Sequence, residues 1–193
     1  MKYLLIGCGS RRDRLVALNG DKEWKGELVT LDINLDHKPD ICWDLMTMPY
    51  PFKTDEFDEI HAYEVLEHTG QQGDWRFFFR QWTEFWRILK PGGYFIGTSP
   101  LWMNAWAWGD PGHTRTVQPE NFVFLSQDQY AKQIGQTPMT DYRPWYWADF
   151  ETIFVEPYEP GQTRIRSATS FAFVLQAIKP TRHPKTEDLF TRQ

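Results

Sequence analysis

"YLLIGCGSRRDRL", residues 3–15, decides how this chain is read. An apolar run stops at Gly7, a second glycine follows at position 9, and the sequence then turns basic at Arg11, Arg12 and Arg14. Short apolar runs bounded by glycine read as strands covered on both faces. "ELVTLDIN" (27–34) repeats the form and ends in an acid. Between the two, Leu15, Val16 and Leu18 predict a short crossover helix closed by Asn19 and Gly20, which makes a βαβ unit. "DICWDL" (40–45) reads as a third, shorter strand, and the link from Asn34 to Pro39 is too brief for a full crossover helix.

Further along, "FDEIHAYEVLEH" (57–68) opens with a fourth strand. The clearest helix follows in "DWRFFFRQWTEFWRILK" (74–90), where Trp75, Phe78, Phe79, Trp82, Phe85, Trp86 and Leu89 recur at steps of three and four. Asp74 can cap its start, and Lys90-Pro91-Gly92-Gly93 stops it. "GYFIGTS" (93–99) is a fifth strand, and "FETIFVE" (150–156) and "TSFAFVLQAIK" (169–179) form an antiparallel pair across "PYEPGQTRIRSA". From Pro100 to about Tyr146 the pattern is irregular, with a weak helix candidate in "QPENFVFLSQDQYAKQI" (118–134). The expectation is one α/β domain over residues 1–180, with a mostly parallel central sheet flanked by helices. An antiparallel pair completes it at the C-terminus, residues 100–147 form a substrate or lid insertion, and 181–193 are a poorly packed polar tail.

The 193 residues suit one sizeable core, and 41% hydrophobic with 24% charged residues excludes a disordered or coiled-coil chain. A formal net charge of −5 gives no general attraction to phosphate backbones, although Arg11, Arg12 and Arg14 form a local basic strip. No apolar run is long enough to span a bilayer and no leader-like segment opens the chain, so a cytoplasmic protein without a membrane partner is expected. Cys8 and Cys42 have no companions at zinc spacing, so neither a disulfide framework nor a metal is expected. Aromatics are in excess, at 17% with ten tryptophans.

In mostly parallel sheets ligands sit beyond the carboxyl ends of the strands, where strand order reverses. Those ends carry Gly7-Cys8-Gly9, Asp32, Asp44, and Tyr63, Glu64, Glu67 and His68. Asp32 follows Gly9 by close to the roughly 20 residues at which an acid reads a ribose in nucleotide-binding folds. Position 12 is Arg, where a dinucleotide fingerprint needs glycine, and no G-K-[ST] follows, so an adenosine ligand without a diphosphate is preferred. The plainer reading is that Asp32 caps a turn through Asn34 and that Asp44 caps a helix before "LMTM".

Taken in order, "LLIGCGS", "VTLDIN", "ICWDL", "FDEIHAYEVLEH" and "RILKPGGYFIGTSP" resemble the class I S-adenosylmethionine-dependent methyltransferases, specifically a small single-domain group, over residues 3 to about 100. The resemblance implies a Rossmann-like methyltransferase fold and S-adenosyl-L-methionine as cofactor. It implies that Gly7, Cys8 and Gly9 lie under the methionine and ribose, and that Asp32 holds the ribose hydroxyls. By the same resemblance Ile33 flanks the adenine, Asp44 and Leu45 meet its amino edge, and Tyr63 and Glu64 lie near the methionine. Two departures are Leu5, where many members carry an acid, and Arg11, where many carry glycine. "DPGHTRT" (110–116) resembles a substrate-side loop of some members.

Methyl transfer needs positioning first and a base only if the acceptor must lose a proton. His113 and His68 are the catalytic candidates, with Glu64 and Asp110 beside them, although His68 serves equally well to fix its loop. Trp102, Trp106 and Trp108, with Asp110 and Arg115, are candidates for the acceptor site; Trp145 and Trp147 lie in the same irregular region. The same rings serve a lid or a protein interface. The expected function is methyl transfer to an oxygen or nitrogen of a small molecule, by a monomer or homodimer. The alternatives are modification of a nucleic acid or sugar polymer, which is disfavoured, and a catalytically inactive cofactor-binding interaction protein. No "DPPY"-like or "PC" signal of the common DNA methyltransferases is present.

Overall fold

The computed structural model describes residues 1–18, 20–158 and 169–183. Seven strands form one sheet in the order β3-β2-β1-β4-β5-β7-β6. They are β1 (Lys2–Ile6), β2 (Glu27–Asp32), β3 (Ile41–Cys42), β4 (Phe57–Tyr63), β5 (Leu89–Pro100), β6 (Phe150–Tyr158) and β7 (Ser170–Ala177). β1 pairs in parallel with β2 and β4, placing Leu4 opposite Val29 and Ile60. β7 runs antiparallel to both β5 and β6, with Phe95 opposite Leu175 and Phe150 opposite Ala177. The chain leaves β1 for β2 and β3 on one side and returns to β4 and β5 on the other, so strand order reverses at β1. The expected α/β sheet with its antiparallel C-terminal pair is present. The link "PYEPGQTRIRSA" lies largely outside the described residues, as does Asn19.

One face of the sheet is covered as the periodicity predicts. Helix α1 (Trp75–Ile88) begins at Asp74, whose carboxylate accepts the Phe77 N–H, and it buries Phe79, Trp82, Phe85 and Ile88. The rings of Trp82 and Phe85 pack at a tilt against Phe95 of β5, with centroids 4.9 and 4.8 Å away. Gln81 is also wholly buried on this helix, a position that apolar periodicity does not flag. The helix runs directly into β5, and Lys90-Pro91-Gly92-Gly93 form a bulge between the registered pairs Phe57–Leu89 and Glu59–Tyr94. Two short helices follow, α2 (Trp106–Gly109) and α3 (Gln127–Gln133). The helix expected over 118–134 is split into a 3₁₀ segment, Pro119–Leu125, and α3, because Ser126 leaves helical geometry and caps α3 through the Gln129 N–H.

The crossover helix expected after β1 is absent, and residues 11–17 are irregular. Side chains occupy the backbone groups that a helix would pair. The Arg12 guanidinium donates to Gly9 O at 2.7 Å and to His37 O at 2.8 Å. The Trp24 indole donates to Arg12 O at 2.6 Å, and the Val16 N–H, which a helix would aim at that carbonyl, points to the Tyr63 hydroxyl at 3.4 Å. Beneath lies a polar cluster on the second sheet face. Arg14 Nη2 donates to Glu59 Oε2 at 2.6 Å, His61 Nε2 lies 2.8 Å from the same oxygen, and His61 Nδ1 lies 2.7 Å from the Tyr63 hydroxyl. The basic strip is largely engaged within the protein: Arg14 is buried, Arg12 is held by backbone carbonyls, and the exposed Arg11 pairs with Asp13 at 3.2 Å.

The expectation of a poorly packed tail fails at its start. Arg182 makes three hydrogen bonds to the buried Asp149 carboxylate, through its backbone N–H at 2.9 Å, Nε at 2.8 Å and Nη2 at 2.9 Å. Residues 184–193 lie outside the described residues. Among the described residues no helix is long and apolar enough to cross a membrane.

Candidate functional site

The loops after β1, β2, β3 and β4 meet on the carboxyl edge of the sheet. Gly7 and Gly9 both take positive φ, +57° and +53°, and a Cβ on Gly7 would stand 2.4 Å from Val65 Cγ2. Only glycine lets this turn nest against the loop after β4. Asp32 closes the turn from the other side: its Oδ2 accepts the Gly9 N–H and its Oδ1 the Asn34 N–H, each at 2.8 Å, with His37 Nδ1 3.2 Å away. Burial alone would raise this carboxyl, but the two N–H donors and His37 outweigh it and hold it below the usual range.

Two cavities flank the turn. The larger, about 390 Å³, is lined by Gly7, Gly9, Asp32, Ile33, Asp44, Leu45, Glu64 and His68. The second, about 350 Å³, shares Gly7 and Gly9 and adds Cys8 and Tyr63. The expected cofactor residues therefore divide between two compartments. Ile33 projects with 65% of its surface exposed while Leu45 is buried, which gives the larger cavity apolar walls beside the Asp32 carboxylate. Asp44 accepts the Met46 N–H at 2.8 Å and so caps a turn, where a helix was expected, and it lines the cavity. Tyr63 stands apart from Glu64 because its hydroxyl is drawn beneath the turn toward His61. Apolar walls, a buried carboxylate and backbone N–H groups suit a nucleoside joined to an amino acid, and the open space around a Cβ on Gly9 leaves room for it.

The loop after β4 carries the reactive groups. Glu64 takes φ +55° and opens to the cavity, yet the surrounding walls raise its carboxyl above the usual range. Glu67 is buried, which together with the charge of Glu64 pushes its carboxyl up to about 8. Sequence reading placed Glu67 at the strand end, within "LEH", but gave it no role. The 110–116 loop docks on this turn: Glu67 O accepts the Thr114 N–H at 2.9 Å and the Arg115 N–H at 3.3 Å, and Gly112 O lies 3.1 Å from His68 Nδ1. His68 and His113 thus meet edge to face, ring centroids 4.6 Å apart. Asp110 caps its own turn through the Gly112 N–H at 2.7 Å.

Arg115 is placed differently from the expectation. Its guanidinium is buried and donates to Leu66 O at 3.0 Å, Thr69 Oγ1 at 3.1 Å and Gln81 Oε1 at 2.5 Å, so it ties two loops and α1 together. Burial lowers its pKa to about 10. Trp102, Trp106 and Trp108 are more than half exposed and line neither cavity at the strand ends. Trp145 and Trp147 line a separate cavity on α1, with Trp145 5.2 Å from Trp75.

A family model described as a methyltransferase domain matches residues 4–97, which span β1 to β5 and every loop just described except 110–116. No curated protein matches the chain. Among solved structures the fold is similar to a SAM-dependent methyltransferase from Archaeoglobus fulgidus, with 14% identity, TM-score 0.52, and coverage of 91% of this chain and 85% of that one. It is also similar to the N-methyltransferase NodS from Bradyrhizobium japonicum, with 11% identity, TM-score 0.50, and coverage of 92% and 86%. A third is phosphoethanolamine N-methyltransferase 1 from Haemonchus contortus, in complex with phosphoethanolamine and S-adenosylhomocysteine, with 13% identity, TM-score 0.54, and coverage of 99% and 43%. Over residues 4–97, just under half of its length, the chain matches a methyltransferase domain, and its fold is that of the SAM-dependent methyltransferase structures.

Proposed function

We propose that this protein is an S-adenosylmethionine-dependent methyltransferase of class I, acting on an oxygen or nitrogen of a small molecule that reaches the cavity beside Glu64, His68 and His113. The observation that carries the reading is the arrangement of the larger cavity, which joins nucleoside-type walls from the β2 and β3 loops to titratable groups from the β4 loop. Asp32 would hold the ribose hydroxyls, Ile33 and Leu45 the adenine, and the Gly7–Gly9 backbone the methionine part. Bound there, S-adenosylmethionine supplies an electrophilic methyl group. The chain's own contribution is to orient the acceptor in line with that group, exclude water, and receive a proton at Glu64 or an imidazole where the acceptor carries one. Engagement of Arg12 and Arg14 within the protein argues against a polymer held by its phosphates.

Calorimetry with S-adenosylhomocysteine tests the cofactor part. We expect Asp32→Ala to weaken binding at least tenfold, about 1.4 kcal/mol, and binding of NAD in place of S-adenosylhomocysteine would overturn the reading. A panel of hydroxyl- and amine-bearing acceptors tests the rest. His113→Ala should lower turnover while S-adenosylhomocysteine binds as before; unchanged turnover would remove His113 from the mechanism.

A further inference from the structure

Glu67 is 1% exposed; among the described residues its Oε1 has no hydrogen-bond partner, and its Oε2 accepts from the Ser99 hydroxyl at 3.5 Å. The nearby Arg115 guanidinium does not pair with it, being held by Leu66 O, Thr69 and Gln81. A buried carboxyl group left in this way is destabilising unless something completes its surroundings. One carboxylate oxygen of Glu67 and one ring nitrogen from each of His68 and His113 lie within 4.8 Å of one another. Both imidazoles are oriented from behind by backbone carbonyls: His68 Nδ1 lies 3.1 Å from Gly112 O, and His113 Nδ1 lies 3.4 Å from Ala107 O. A proton held at Nδ1 by a carbonyl leaves the Nε2 lone pair available, which is the support that metal-bound histidines show. Asp110 Oδ2, 4.0 Å from His113 Nε2, is the other acid beside that ring.

We propose that Glu67, His68 and His113 form a site for one divalent first-row transition cation, of the Mn²⁺, Co²⁺ or Zn²⁺ class, at the edge of the cofactor cavity. Two imidazoles and one carboxylate match that class, and three protein ligands leave coordination positions open for a further donor. Metal–ligand bonds of about 2.0–2.2 Å put ligand atoms about 3.3 Å apart in a tetrahedral site, so side-chain rotations on the order of 1 Å close the set. His68 also lines the cavity, which places the open positions within reach of its contents. Resting on the methyl-transfer reading, the cation would hold an oxygen of the acceptor and lower its pKa, so that its proton passes to Glu64 or to solvent while both imidazoles stay on the cation.

The test is titration of chelator-treated full-length protein with Co²⁺, Mn²⁺ and Zn²⁺, followed by calorimetry and, for Co²⁺, by the visible absorption of the bound ion. One equivalent should bind, and Glu67→Gln and His113→Ala should each weaken binding at least tenfold. The same samples are titrated with S-adenosylhomocysteine, which should bind wild type and both variants alike and so report that the variants are folded. Failure of all three ions to bind wild type, or stoichiometric binding undiminished in both variants, overturns the cation site and leaves Glu67 a protonated buried acid. Cation binding without S-adenosylhomocysteine binding would instead overturn the cofactor reading and leave the cation site standing.

Discussion

The two faces of the sheet are built by opposite means. On one, Leu4, Ile6, Ile60, Ala62 and Phe95 meet the rings of α1 in a single apolar core. On the other, Glu59, His61 and Tyr63 of the same β4 meet Arg14 and an irregular segment held by side-chain-to-backbone hydrogen bonds. Arg14 also lies over the Tyr3 and Trp24 rings, at 5.3 and 5.7 Å. Burial of apolar area is indifferent to partner identity, whereas a buried ion pair is stable only while both members remain. The first face should therefore tolerate conservative exchange, and the second should respond sharply to removal of one partner.

The largest effect should come from the apolar face. Trp82 is fully buried against Phe85, Phe95 and Phe150, and Trp82→Ala should destabilise the protein by about 3–5 kcal/mol in urea unfolding, whereas Trp82→Phe should lose much less. Next, Arg14→Met should cost about 3 kcal/mol by stranding Glu59, and adding Glu59→Leu should restore part of that loss. A double variant no more stable than the single one would erase the proposed contrast.

Acidification sharpens the comparison without mutation. Burial lowers the His61 pKa below the ordinary 6.5, against the opposing pull of Glu59, so the folded chain resists a proton that the unfolded chain accepts. The His61 contribution to stability should fall as pH drops through 6.5, while the raised carboxyl of Glu67 acts in the opposite sense. For Glu59, burial is outweighed by His61 and Arg14, and its lowered pKa extends the loss below 4.5. The thermal midpoint of His61→Phe should show a shallower decline between pH 7 and 5; a slope equal to wild type would refute the account. Arg12→Ala should cost about 1–2 kcal/mol through loss of its carbonyl contacts. Smallest of all, Trp106→Ala at a 69% exposed position should change stability by no more than about 0.5 kcal/mol.

This asymmetry also explains which parts were legible in the sequence. A stripe at helical spacing declares α1 directly, and apolar runs ended by glycine or acid declare the strands. Residues 11–17 misled because Leu15, Val16 and Leu18 have helical spacing, while the competing partners, Trp24, His37 and Tyr63, lie elsewhere in the chain. Asp32 was legible because its interval from Gly9 is a local property of a strand–turn–strand unit. The meeting of Glu67 with His113 was not, since each comes from a different loop and only the docking of Thr114 and Arg115 on Glu67 O joins them. Arg115 resembled a substrate contact for a similar reason: sequence displays its charge and conceals that Leu66, Thr69 and Gln81 already surround it.

That docking has a consequence for redesign. Gln72 donates its N–H to Thr114 O at 3.0 Å, just as Thr114 and Arg115 donate theirs to Glu67, so residues 112–116 behave as an extra rung of the scaffold rather than as a swinging flap. Residues 101–109 beside it are rich in exposed rings and are tied down through Thr169 O and Gln118. Exchange of that segment should leave the 112–116 rung in place, provided that a carbonyl is kept where Ala107 O meets His113 Nδ1.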